Sequence, residues 1–67
     1  MTNEIINKMV EEINGWIKLA YDEFQTNGRS TWYLRTTDRI NGMCQMLKIV
    51  SGKVIYWDDN GVKMEEV

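Results

Sequence analysis

Proline and histidine are both absent from this 67-residue chain, and cysteine occurs once, as Cys44. Each absence removes a class of chemistry. Without imidazole there is no Ser-His or Cys-His pair to activate a nucleophile. A lone thiol without histidine builds no zinc site of the usual Cys/His kind. One cysteine excludes an intrachain disulfide. Cys44 lies beside Met43 and Met46 on an apolar segment, where a cysteine acts as a small hydrophobe. With no proline, breaks in structure fall to glycine. No apolar run approaches the roughly 18 residues of a membrane span. Residues 1–10 are polar and acidic, unlike a secretory leader. The expectation is a non-catalytic protein with no metal, no cofactor and no membrane contact. A single reduced thiol fits the cytoplasm.

What the chain does hold is apolar and aromatic: 43% hydrophobic residues, with three Trp, three Tyr and one Phe, enough to pack one domain spanning residues 1–67. A domain of this size buries only about 60% of the surface its unfolded chain exposes. Small folds therefore usually add disulfides, a metal or a partner subunit. With the first two excluded, a homo-oligomer is expected, most simply a dimer.

Residues 3–26 read as one amphipathic helix. Ile6, Met9, Val10, Ile13, Trp16, Ile17, Ala20 and Phe24 recur at three- and four-residue steps, which places them on one stripe. Thr2 or Asn3 can cap its start, Glu4 and Lys8 form an i,i+4 pair, and Asn27-Gly28 supplies a left-handed stop. Gly15, mid-helix, implies a close neighbour at its backbone. A second helix covers 38–50, where Ile40, Met43, Leu47 and Val50 share a face and Gly52 ends it. Thr37 or Asp38 can cap that version. Residues 30–36 fit either a short alternating strand or a continuation of the helix back to a Ser30 cap, and the longer helix, 30–50, is preferred. Residues 53–66 read as a β-hairpin about Asp58-Asp59-Asn60-Gly61. Asn60 and Gly61 at the centre of a type I′ turn set Trp57 opposite Met64 and Asp58 opposite Lys63. That turn lacks the alternating ligands and distal glutamate of a calcium loop. The fold expected is α+β: long N-terminal helix, second helix, C-terminal hairpin. Ile6, Met9, Ile13, Trp16, Ile40, Met43, Leu47 and Trp57 are the expected core and oligomer-interface residues.

Charge is segregated beneath a net value of -2. Residues 1–26 carry Glu4, Glu11, Glu12, Asp22 and Glu23 against Lys8 and Lys18; residues 27–57 carry Arg29, Arg35, Arg39, Lys48 and Lys53 against Asp38. Acidic and basic segments of this kind neutralise each other within a chain or between copies. An isoelectric point near 4.9 argues against a reader of duplex DNA. The acids are too few for a DNA mimic. The segment 29–39 interleaves Arg29, Arg35 and Arg39 with Trp32 and Tyr33. Arginine offers bidentate contacts to phosphate or carboxylate, and aromatic rings offer stacking faces. These five residues are the candidate site for a partner protein or an anion. Alternatively, Trp32 and Tyr33 pack inward and the arginines pair with the acidic helix.

In whole-chain texture the sequence resembles short phage or prophage accessory proteins: compact chains rich in Ile, Asn, Lys and Met, with one long amphipathic helix. The resemblance implies an inhibitor that binds and blocks a host protein, in some cases a defence protein. For other such proteins it implies a sponge for a phosphorylated nucleotide. A structural assembly component, its hairpins adding strands between chains, is the third expectation.

Overall fold

The computed structural model describes residues 3–66. Its elements in chain order are helix α1 (Asn3–Asn27), helix α2 (Thr31–Ser51) and strands β1 (Val54–Asp58) and β2 (Gly61–Glu65). This is the α+β order expected. Thr2, a possible cap, lies outside the described residues.

The interhelix turn is held by side chains. Gly28 takes φ 66° and its N–H donates to the Phe24 carbonyl, closing α1. Ser30 caps α2: its hydroxyl accepts the Tyr33 N–H at 3.1 Å and donates to Glu23 at 2.6 Å. Asn27 donates to the other Glu23 oxygen at 3.0 Å. Residues 31–36 are therefore helix rather than strand. Thr37 and Asp38 lie inside the helix rather than capping it. The Thr37 hydroxyl donates to the Leu34 carbonyl, and Thr36 is buried. Back-bonding of this kind is how a helix tolerates β-branched threonine. Gly52, at φ 69°, ends α2 with its N–H on the Lys48 carbonyl.

The two helices pack along Ile13, Ile17 and Ala20 of α1 and Thr36, Ile40, Cys44 and Leu47 of α2, all buried. Ile6, Met9, Trp16, Met43 and Trp57 are half-buried against that core. The centre of the expected apolar stripe thus closes within one chain, while Phe24 at its end remains 42% exposed. None of the three tryptophans is fully buried; Trp32 remains 45% exposed. Gly15 is not explained by packing, because a Cβ there meets nothing within 4 Å.

The hairpin covers one side of the helix pair, β2 against α1 and β1 against α2. Ile55, Trp57, Val62 and Met64 face the helices. Its register differs from the expected one by two residues: Trp57 pairs with Val62, Asp58 with Gly61 and Ile55 with Met64. A type I′ turn needs positive φ at both central residues, and among described residues only glycines have it. Instead the Asp58 carboxylate accepts the Asn60 N–H at 2.8 Å, and Gly61 takes φ 123°. A shift of two leaves every side chain on its face, because the strand period is two.

Two helix asparagines dock the hairpin. The Val62 N–H donates to Asn14 Oδ1 at 2.8 Å, and the Trp57 indole N–H donates to Asn41 Oδ1 at 2.7 Å. Each helix thus supplies one amide oxygen to one strand.

Candidate functional site: the open face of the helix pair

Asn14 and Asn41 mark the sides of α1 and α2 that the hairpin covers. At 100° per residue, Glu12 and Leu19 on α1 and Arg39 and Met46 on α2 lie on the far sides. No described residue covers that far side. It carries a continuous strip of three shallow hollows that share residues. Ile5, Met9, Ile13, Met43 and Met46 line the first, an apolar depression of about 320 Å³ with Lys8 and Glu12 at its rim. Glu12, Trp16 and Leu19 line the second, and Leu19, Glu23 and Trp32 the third. Ile5, Leu19, Trp32 and Met46 are exposed large apolar side chains. Single exposed apolar residues are ordinary. A contiguous strip of them is the surface pattern of an interaction site.

The five residues of the candidate site divide between faces. Trp32, Arg35 and Arg39 recur at helical spacing along the open edge of α2. The Arg39 guanidinium lies 4.8 Å from the Trp16 ring centroid, a cation–π pair bridging the helices. Tyr33 turns inward instead, its ring 5.2 Å from that of Phe24. Arg29 sits in the interhelix turn. The arginines do not pair with the acidic helix: among the described residues the ion pairs are Lys8–Glu4 and Lys53–Glu66. Nor do the arginines and Trp32 close round one cavity. The hollow beside Trp32 is lined by Asp22 and Glu23, whose charge opposes a phosphate.

Three groups have shifted acidities. The Ser30 hydroxyl and then the Asn27 amide hold the Glu23 carboxyl below its ordinary 4.5. Burial pushes the Cys44 thiol up, so it stays protonated and weakly nucleophilic. The Tyr56 phenol, donating to Glu65 at 3.0 Å on the outer face of the hairpin, is also raised, chiefly by that bond. Neither Cys44 nor Tyr56 has a cationic partner among these contacts. Among the described residues no group of three or more Cys, Asp or Glu side chains comes together as a metal-ligand set. Among the described residues no helix is long and apolar enough to cross a membrane.

The Glu23 contacts predict a pH dependence. A depressed folded value means ionised Glu23 stabilises the turn above pH 4.5, and that contribution is lost as pH falls through the folded value. Ser30→Ala removes the cap at a cost of about 1 kcal/mol, and removes the principal cause of the Glu23 shift. Urea unfolding at neutral and acid pH is expected to show a variant less stable at neutrality, with the gap to wild type narrowing in acid. A gap that is constant with pH would show that Ser30 acts on the backbone alone.

Sequence patterning overlooks Asn14 and Asn41. Their poor helix propensity is the one local hint that they serve something outside the helix. Comparison with protein-family models, curated proteins and solved structures returned no match.

Proposed function

We propose that this chain is a non-catalytic protein-binding module that presents the open face of its helix pair to a protein surface, acting as an inhibitor does by covering what it binds. The observation that carries the reading is the uncovered strip from Ile5 through Trp16 and Leu19 to Trp32, with Met43 and Met46 alongside. Tryptophan and arginine dominate the energetics of protein interfaces, and this face holds Trp16, Trp32, Arg35 and Arg39. Methionines in a shallow groove adapt to irregular partner surfaces. The likeness in texture to phage accessory proteins makes a host protein, in the cytoplasm, the first partner to seek.

Photo-crosslinking tests the surface. A photoreactive side chain at Leu19, on the open face, is expected to give a discrete adduct with one protein in the cells that make this chain. The same group at Tyr56, on the outer face of the hairpin, is expected to give none. Leu19→Glu should abolish co-purification of that protein while leaving helical content unchanged. Adducts of equal yield from both positions, or co-purification that survives Leu19→Glu, would place binding elsewhere.

A further inference from the structure

We infer that the open face is closed in solution by a second copy of this chain: two helix pairs pack face to face as a four-helix bundle about a two-fold axis parallel to the helices. This rests on the reading above, since one face serves both roles and a captured protein must displace the second copy.

Charge selects the occupant and the axis. On the face, α1 contributes Lys8, Glu12 and Glu23, and α2 contributes Arg35 and Arg39. Lys8 pairs with Glu4, and none of the other four is in an ion pair among the described residues. Two facing helix pairs have two symmetric arrangements. An axis across the helices runs α1 antiparallel on its own copy and stacks α2, with its two arginines, on the other α2. An axis along the helices lays each α1 over the α2 of the other copy. Acid then meets arginine, and an isologous interface repeats the match twice. Like charges set face to face cost affinity, and unlike charges fix register. The segregation of charge that forms no ion pair across the helices among the described residues is matched between two copies.

Area agrees. The fold measures 37 × 18 × 16 Å, so its broad side offers roughly 650 Å² per copy and about 1,300 Å² for the pair, within the range of specific stable interfaces. The glycines agree as well. Gly15 lines the open face beside Glu12 and Trp16, and Gly42 lies one turn from Arg39 and Met46. A Cβ at either meets nothing within 4 Å in its own chain. Each glycine costs its helix about 1 kcal/mol relative to alanine. Bare backbone at Gly15, near the mid-length of α1, lets a facing helix approach closely there.

The experiment is a charge swap read by native mass spectrometry and sedimentation, with circular dichroism confirming the fold. Wild type is expected at twice the 7.9 kDa chain mass. Glu12→Lys alone sets lysine over arginine, and Arg39→Glu alone sets acid over acid. Each is expected to weaken self-association about tenfold or more. An equimolar mixture of the two variants should recover a mixed dimer of near wild-type affinity, because both contacts become opposite in sign. Wild type that stays monomeric at concentrations on the order of 100 µM, or a mixture no tighter than the separate variants, overturns the inference. A monomer that still gives the Leu19 adduct overturns this inference and leaves the binding reading standing. A dimer that never gives an adduct with another protein does the reverse.

Discussion

Leu47→Ala is expected to destabilise the protein by about 2–5 kcal/mol, the cost of a large-to-small change at a site that cannot collapse. Leu47 is 0% exposed and sits among Ile13, Ile17, Ile40 and Cys44 in the one buried cluster. At roughly 0.05–0.15 kcal/mol per residue, a chain this short has a total stability of about 3–10 kcal/mol. The substitution therefore removes much or all of it. Thermal unfolding followed by far-ultraviolet circular dichroism should show either a loss of helix at room temperature or a large fall in midpoint. Ile49→Ala, two residues away and 68% exposed, is the control. It should change stability by no more than about 0.5 kcal/mol. Equal effects at the two positions would mean that the helix pair does not pack on this face of α2.

Gly61→Ala carries the second large effect, through two separate causes. Gly61 has φ 123°, a backbone region where an L side chain is strained. That strain is on the order of 1–3 kcal/mol. A Cβ there would also stand 2.9 Å from Asn14 Oδ1, the oxygen that accepts the Val62 N–H. Asn14 must then swing away, and the exposed docking hydrogen bond, worth at most about 1 kcal/mol, goes with it. The expected result is a hairpin that opens while the helices hold. Amide exchange should accelerate across β1 and β2, and exchange in the centres of α1 and α2 should change little. Asn14→Ala separates the causes, since it loses the docking bond and keeps the relaxed glycine. Uniform acceleration through the helices would show that the hairpin and the helix pair unfold as one unit.

Much of the fold was legible because its signals are local and redundant. The stripe from Ile6 to Phe24 is periodic over about five turns, and Gly28, Ser30 and Gly52 punctuate the helices at their ends. Core choices at Ile13, Ile40 and Leu47 followed from the same period and are buried. The hairpin was readable as a hairpin, but its register was not. Two turn chemistries compete within Asp58-Asp59-Asn60-Gly61, and the choice depends on the Asp58 side chain and on Asn14, 48 residues away from Val62. Of the candidate site, Trp32, Arg35 and Arg39 share an edge because helical spacing requires it. Tyr33 departs because it lies one residue, and so 100°, from Trp32. Pairing of the arginines with the acidic helix was the alternative reading in sequence; among the described residues it does not occur, and Arg39 lies over Trp16 instead.

By itself, then, the sequence determined the elements, their order and the apolar stripe that joins the helices, since each depends on spacing along one chain. It also determined what chemistry is missing, because absent histidine and paired cysteine are absent in any fold. Only the tertiary structure decided which side of the helix pair is covered. The hairpin has apolar residues for one face and could lie on either side of the helices. Asn14 and Asn41 offer their amide oxygens on one side alone, so the hairpin settles there. The opposite side, with Trp16, Trp32, Met43 and Met46, is left open among the described residues for that reason.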